Sequence, residues 1–131
     1  MKLSKKVVVL FAALLVFSLC SGVFASAYYS YNVNLPLVGQ ITVCTGVKQN
    51  TEHYATNIVG DNNTAYVGWL DYRIDKTGQW VLCSQDYTCT ANLTHTMSYT
   101  SATPNYGSFV RLRTKPFGVF NTNLISGSIE Y

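Results

Sequence analysis

Glu and Lys, two residues that favour helices, are scarce in this chain of 131 residues, whereas Tyr, Thr, Ser and Asn are abundant. This bias favours strands over helices. After residue 27 no stretch places apolar residues at i, i+3, i+4 and i+7, which argues against an amphipathic helix. The chain also lacks a long linker, a low-complexity tract and an internal repeat, so we expect one domain.

Only one long apolar run is present, and it lies near the start, from Val7 to Cys20. It is shorter than the roughly 18 residues that a membrane-spanning helix needs. Lysines precede it, and Ala25-Ser26-Ala27 follows as a small-x-small cleavage site. This order predicts a secretory signal peptide over residues 1–27 and a secreted β domain over residues 28–131. We therefore expect an extracellular or cell-surface protein whose mature part has no transmembrane segment.

The predicted signal peptide contains the whole positive charge excess of the chain. The formal net charge of +3 equals the charge of Lys2, Lys5 and Lys6. The remaining basic and acidic residues balance, so the mature domain is formally neutral. We therefore expect no nucleic-acid partner, because the basic character belongs to the segment that is removed.

Alternation of apolar and polar residues predicts most of the fold. Residues 88–100 alternate most clearly and predict one half-buried strand, or two strands with a bend. Residues 65–74 and 79–84 flank a turn and predict a β-hairpin. Further strands are predicted at 29–35, 41–47, 54–59, 108–114 and 124–131. Seven or eight short strands predict a small antiparallel β-sandwich, with a small β-barrel as the alternative.

Three cysteines remain after cleavage, Cys44, Cys83 and Cys89, so at most one internal disulfide can form. Cys83 and Cys89 lie at the ends of two predicted strands, and a short hairpin would bring them within disulfide distance. Cys44 would then be a free thiol, either buried or bridging to a second molecule. The spacing fits neither a redox CxxC motif nor a paired zinc pattern, so we predict no metal site.

No sequence pattern points to catalysis. The chain lacks GxSxG, a phosphate-binding glycine loop and HExxH. His53 lies in a turn-like stretch, and His95 lies on an apolar strand face, where we expect a hydrogen-bonded core residue. Asp71 and Asp75 share a strand face with Arg73, which we interpret as solvated ion pairing rather than a glycosidase pair. We therefore predict no enzyme and no cofactor, with a small secreted hydrolase as a remote alternative.

A basic stripe is the main candidate for a binding surface. Arg111, Arg113 and Lys115 occupy alternate positions of one predicted strand and therefore share a face. The stripe would meet an anionic cell-wall polymer or lipid headgroups, or it is a solvated edge that discourages aggregation. The ten tyrosines offer a second kind of contact, with carbohydrate or protein.

Several segments resemble those of small exported β-rich proteins of Gram-positive bacteria. Besides the Lys-led signal, they are Tyr28-Tyr29-Ser30-Tyr31-Asn32-Val33, Gly68-Trp69-Leu70-Asp71, Val110-Arg111-Leu112-Arg113 and Ser126-Gly127. No activity is established for that group, so the resemblance implies export and a β-rich fold. Some secreted β-sandwich bacteriocins resemble it in size and export route. We expect a non-catalytic secreted or cell-surface protein that binds an envelope component or a protein, with a bacteriocin-like antimicrobial as the alternative.

Overall fold

A computed structural model of the protein describes residues 27–61, 65–74, 78–100, 102–116 and 124–131. These residues form nine antiparallel strands in two sheets, with neither a helix nor a closed barrel among them. The all-β prediction is therefore confirmed, and the barrel alternative is wrong for this part of the chain. The strands are β1 (Tyr29–Asn34), β2 (Ile41–Val47), β3 (Tyr54–Val59), β4 (Tyr66–Arg73), β5 (Trp80–Leu82), β6 (Tyr87–Cys89), β7 (Thr94–Ser98), β8 (Phe109–Pro116) and β9 (Leu124–Glu130).

The strands divide into a four-stranded sheet A and a five-stranded sheet B. Sheet A has the order β1-β9-β3-β7, and sheet B has the order β2-β8-β4, with β5 and β6 both pairing with the free edge of β4. The predicted hairpin is confirmed as β4–β5, in which Asp71 lies opposite Leu82. The turn between these strands lies mostly outside the described residues, as does most of the predicted signal peptide.

The segment 88–100 bends and contributes to both sheets. Its first part belongs to β6 in sheet B, and its second part forms β7 in sheet A. Asn92 lies in the turn between them with φ of 59°, a conformation that Asn adopts more readily than most residues. Of the two forms predicted for this segment, the bent pair of strands is the one observed. Leu93, an apolar residue of the alternating pattern, is 53% exposed because it lies at the bend.

Both sheets contribute inward-facing side chains to one hydrophobic core. The buried apolar residues of the strands are Tyr31, Ala55, Val59, Met97, Ile125 and Ile129 from sheet A and Tyr66, Leu70, Cys89, Val110 and Leu112 from sheet B. Each fully buried aliphatic side chain stabilises the fold by roughly 1.5–3 kcal/mol relative to an exposed one. The residues between them on each strand face outward, and on sheet B these outward residues form the site described below.

A buried polar cluster links the two sheets inside this core. Asn57 of sheet A is fully buried, accepts a hydrogen bond from the Tyr31 hydroxyl at 2.9 Å, and donates one to the Tyr66 oxygen of sheet B at 2.9 Å. The two tyrosine oxygens are 2.7 Å apart. Burial raises the pKa of Tyr31 to about 12, so the cluster is neutral at ordinary pH. Because every member has a partner, the cluster can be buried without a large desolvation penalty.

Candidate functional site

The outward side of sheet B carries cations and aromatic rings in close contact. We call it the cationic face, and it comprises Trp69, Asp71 and Arg73 of β4, Trp80 of β5, and Phe109, Arg111, Arg113 and Lys115 of β8. Antiparallel pairing sets the neighbours, since residues directly opposite each other share a face. Trp69 lies opposite Arg113, and Asp71 lies opposite Arg111.

Two arginines of the cationic face stack on aromatic rings at the end of the face where Phe109 and Trp80 lie. The Cζ atom of Arg73 is 4.4 Å from the ring centroid of Phe109. The Cζ atom of Arg111 is 4.2 Å from the ring centroid of Trp80. Both distances lie within the roughly 6 Å over which a cation is attracted to a ring. These contacts hold the guanidinium groups against the sheet instead of leaving them free in solvent.

At the other end of the face, one tryptophan supports two cations. The Cζ atom of Arg113 and the Nζ atom of Lys115 are each 5.7 Å from the ring centroid of Trp69. Trp69 is only 7% exposed, although no third layer of strands covers it in the described part of the chain. Its ring is therefore occupied by the protein's own cations and does not offer a free platform for a sugar.

Asp71 neutralises one of these cations. Its Oδ2 atom accepts hydrogen bonds from Arg111 Nε at 3.1 Å and from Nη2 at 2.9 Å. Arg113 Nη1 is 4.0 Å from the same oxygen, which is too far for a hydrogen bond. Asp71 is 5% exposed. Asp71 is thus ion-paired, but with Arg111 of β8 and not with its neighbour Arg73 as expected. The expectation that its strand face is solvated is also wrong at Asp71; Asp75 lies outside the described residues.

The remaining cations are less well matched. Lys115 Nζ is 2.9 Å from Asp86 Oδ2, but these side chains are 43% and 56% exposed, so their pairing contributes little and is screened by salt. Among the described residues, Arg73 has no carboxylate partner, and the Nε atoms of Arg73 and Arg113 have no hydrogen-bond partner. Counted together with Asp86, the described residues of the face contain four cations and two carboxylates, a formal charge of +2.

The basic stripe of the sequence thus occupies one part of a larger arrangement. Arg111, Arg113 and Lys115 lie together on the outward face of β8. Sequence reasoning placed Arg73 on the strand face of Asp71 but did not include it in the binding surface, and it missed the rings beneath the cations. The alternation of Trp69, Asp71 and Arg73 was a usable signal, but it did not show which strand lies beside β4.

Lys48 forms a second feature that sequence reasoning missed. This lysine is 2% exposed, and its Nζ atom donates to Asn50 Oδ1 at 2.9 Å and to the Glu52 carbonyl oxygen at 2.6 Å. It also lies 4.7 Å from the ring centroid of Tyr99. Burial lowers the pKa of Lys48. The side chain therefore fastens the β2–β3 loop to the body of the domain.

A cavity of about 190 Å³ lies beside Lys48, between the β2–β3 and β7–β8 loops. The residues that line it are Lys48, Thr51, Glu52, His53, Thr103, Pro104, Asn105 and Tyr106. No hydrogen bond joins the side chains of His53 and Glu52 within the described ranges. His95 lies elsewhere, on β7, where it is half-buried and its Nε2 atom accepts the Thr90 amide at 3.1 Å. His95 is therefore hydrogen-bonded as expected, although it lies at the margin of the core.

Cys83 and Cys89 do not form the predicted disulfide: both are free and buried. Cys83 lies opposite Leu70, whose carbonyl oxygen accepts its amide, and Cys89 lies opposite Tyr66. Leu70 and Tyr66 are four residues apart on β4, so the two cysteines opposite them are about 13 Å apart along the strand. A disulfide needs Cα atoms within roughly 7 Å. The prediction failed because residues 84–88 continue along the edge of β4 instead of folding back as a hairpin.

Burial also controls the chemistry of the thiols. It raises the pKa of Cys83 to about 12 and that of Cys89 to about 11. Cys44 is free and half-buried on β2, and its Sγ atom lies 3.8 Å from the Tyr29 carbonyl oxygen. Burial raises the pKa of Cys44 as well. Since the thiolate is the reactive form, all three thiols are expected to react slowly in the folded protein.

The described part of the chain contains no group of three or more His, Cys, Asp or Glu side chains arranged to hold a metal ion. It also contains no helix of sufficient length and apolar character to span a bilayer. No protein-family model, curated protein sequence or solved structure matches this chain. The geometry of the chain itself, above all its cationic face, is therefore the basis for assigning a function.

Proposed function

We propose that the protein is a secreted or cell-surface β-sandwich without catalytic activity, which binds an anionic component of a cell envelope through its cationic face. One observation carries this proposal. Arg73 and Arg113 are held on aromatic rings, and neither has a described carboxylate within hydrogen-bond distance. An external anion would supply a partner that the described residues do not.

The stacking makes these arginines suited to binding. A free arginine side chain loses rotamer entropy when it is immobilised by a ligand. Arg73 and Arg113 are already positioned by Phe109 and Trp69, so part of that cost is met in the free protein. A guanidinium group also presents a planar set of donors that fits the paired oxygens of phosphate, sulfate or carboxylate.

The same geometry argues against a neutral sugar as the ligand of this face. Carbohydrate recognition commonly uses an exposed aromatic ring as a stacking surface, because the ring is amphipathic and rigid. Here Arg111 lies over Trp80, and Arg113 and Lys115 lie near Trp69. The rings support the cations, and the cations are what the face offers to a partner.

Export is part of the proposal and is supported by the order of features in residues 1–27, where lysines, an apolar run and a small-x-small site follow one another. The free thiols are compatible with an oxidising compartment. Their raised pKa values keep them protonated, and thiol oxidation and exchange proceed through the thiolate.

The test is co-sedimentation of the mature protein, residues 28–131, with bacterial envelope fractions. One sample of envelope is intact, and the other has been stripped of its anionic polymers. We expect retention on the intact envelope, loss on the stripped one, and weaker retention of an Arg113→Gln variant. Thr96→Glu is a matched control, because it lowers the net charge by the same unit at an exposed position of sheet A. Equal retention of all proteins on both envelopes would contradict the proposal.

The bacteriocin-like alternative can be tested with the same proteins. An antimicrobial would inhibit growth of susceptible bacteria at concentrations at which it binds their envelope. Binding without inhibition across a panel of Gram-positive strains would favour the plain binding protein. A hydrolase would instead depend on the cavity that His53 and Glu52 line. Release of soluble envelope fragments that is abolished by His53→Ala would therefore replace the binding proposal with an enzymatic one.

A further inference from the structure

The cations of the cationic face occupy strand positions that follow one another in a row. Arg111, Arg113 and Lys115 occupy alternate positions of β8, and positions two apart on a strand are about 7 Å apart. Arg73 lies beside Phe109, because Tyr72 pairs with Val110 and the strands run antiparallel. It therefore continues the row by one further step beyond Arg111. The whole row spans about 20 Å at the level of the backbone.

Not every cation of this row is available to a ligand. Arg111 already donates two hydrogen bonds to Asp71, so its charge is matched inside the protein. Within the described residues Arg73 and Arg113 have no hydrogen-bonded carboxylate, and the Arg113 side chain is 26% exposed. Lys115 pairs with a carboxylate only at an exposed position. Arg113 and Lys115 are one step of about 7 Å apart, and Arg73 and Arg113 are two steps apart. The backbone positions of the available cations therefore fall on multiples of one repeat, and their long side chains can adjust to a ligand with the same repeat.

This repeat matches a specific kind of polymer. Three backbone bonds of an extended polypeptide span about 3.5 Å, so six bonds of similar geometry span roughly 7 Å. A chain of phosphodiesters joined through three-carbon units has six bonds from one phosphorus to the next. Its successive phosphates would meet Lys115 and Arg113, and the phosphate two repeats further on would meet Arg73.

The surroundings of the row favour a linear chain over a flat lipid surface. Beside it on β2, Thr42 lies opposite Arg113 and Thr45 lies opposite Arg111. Both threonines are exposed and uncharged, so the cations form a line and not a broad patch. A single-stranded nucleic acid has a similar backbone repeat, but its bases need free aromatic surfaces on which to stack. The rings of the cationic face are engaged by its own cations.

We infer that the ligand of the cationic face is an extended polyol-phosphate chain that lies along β8, with three of its phosphates bound by Arg73, Arg113 and Lys115. This inference rests on the proposed function and specifies its ligand. Recognition is noncovalent, so it needs no group transfer, and it depends on spacing as well as charge.

The experiment measures binding of the mature protein to poly(glycerol phosphate) by isothermal titration calorimetry at several salt concentrations. Three phosphate contacts give a slope of log K against log salt of about −2, since each contact on a single chain contributes about −0.7. Arg113→Gln and Lys115→Gln should each lower affinity by about tenfold and move the slope to about −1.4. Thr96→Glu should leave both nearly unchanged. Circular dichroism of each variant would show that it is folded.

Three other probes, each at the same concentration of negative charge, show which kind of anionic ligand the face prefers. Inorganic polyphosphate, whose charges are spaced far more closely, should bind at least tenfold more weakly per charge. Vesicles containing phosphatidylglycerol and an oligothymidylate should also bind more weakly. Equal or tighter binding by polyphosphate would show that affinity does not depend on the distance between the phosphates of the ligand. Equal or tighter binding by vesicles or by oligothymidylate would assign the face to a lipid surface or to a nucleic acid. In each of these cases the inference is overturned.

Failure of this inference can be told apart from failure of the proposed function. If the envelope retains the protein through Arg113 while poly(glycerol phosphate) does not bind, the proposed function stands and its ligand is a different anion. If retention by the envelope is also independent of Arg113, both fail together.

Discussion

Asp71 and Arg111 face each other across β4 and β8, and one carboxylate oxygen of Asp71 accepts two hydrogen bonds from the Arg111 guanidinium, at 3.1 and 2.9 Å. The pair lies within the row of cations and divides the available ones. Arg73 lies on one side, while Arg113 and Lys115 lie on the other. Asp71 thus stabilises the face and also limits the charge that the face presents.

Replacing Asp71 by Asn should therefore change stability and binding in opposite directions. The variant loses a largely buried ion pair, which we expect to lower the free energy of unfolding by about 2 kcal/mol, below the usual cost for a fully buried pair. It also releases Arg111, so polyanion affinity should rise and the salt slope should steepen by about 0.7. Urea unfolding and calorimetry measure the two effects. Arg111→Gln is the control, because it should lower stability without raising affinity.

Part of the cationic face was predictable because alternation along a strand is a local property. The sequence around Arg111 and Arg113 showed that these side chains share a face. It did not show that β8 lies beside β4, and hence that Asp71 would face Arg111. Such long-range pairing depends on how Leu70, Leu112 and their neighbours pack in the core, which residue spacing alone does not reveal.

The failed disulfide prediction has a similarly local origin. Two short strands with a brief connection were interpreted as a hairpin, the commonest arrangement of such strands. In the structure, Ser84 Oγ accepts the Leu70 amide at 2.8 Å, and the Cys83 amide donates to the Leu70 carbonyl oxygen at 2.9 Å. These bonds keep the chain alongside β4 after β5 ends. The side chain of Ser84 substitutes for strand pairing, and no alternation pattern predicts such a contact.

The thiol state of the mature protein should follow from this arrangement. We expect protein purified without reductant to contain three free thiols that react with a disulfide reagent in urea. In the folded protein, Cys83 and Cys89 should remain unreactive over the same period because they are buried and protonated. Intact mass spectrometry gives an independent reading. A mass lower by two hydrogens would show that an internal disulfide has formed and that the geometry around β5 and β6 is different.

The free energy of unfolding should fall at alkaline pH because Cys83 and Cys89 are buried and protonated in the folded protein. Burial raises the pKa of Cys83 from 9.0 to about 12 and that of Cys89 from 9.0 to about 11. Above pH 9 the unfolded chain therefore loses these protons while the folded protein keeps them. The free energy of unfolding should be level below pH 9 and then fall by roughly 1.4 kcal/mol per pH unit for each thiol.

Urea unfolding at pH 8, 9, 10 and 10.5 measures this dependence. Cys83→Ala and Cys89→Ala should each flatten the decline, although both are expected to be less stable at neutral pH. The raised pKa of Tyr31 adds to the decline above pH 10, and the lowered pKa of Lys48 acts against it. A free energy of unfolding that stays constant from pH 8 to 10.5 in the unmodified chain would contradict the assignment of buried, protonated thiols.

The side-chain amide of Asn57 joins Tyr31 of sheet A to Tyr66 of sheet B. Asn57→Leu keeps a similar volume but removes one partner from each tyrosine hydroxyl. The two hydroxyls still have each other at 2.7 Å, so neither becomes wholly unsatisfied. We expect a loss of about 2 kcal/mol in the free energy of unfolding, measured in urea.

Tyr31→Phe combined with Asn57→Leu tests whether the cluster acts as a unit. The double variant should lose less than the sum of its single variants, because residues of one hydrogen-bond network are not additive. Asn32→Leu is the matched control, since Asn32 is an exposed residue of β1. Additive losses would mean that the hydroxyls and the amide stabilise the two sheets independently. The relative position of the two sheets would then depend on apolar packing alone.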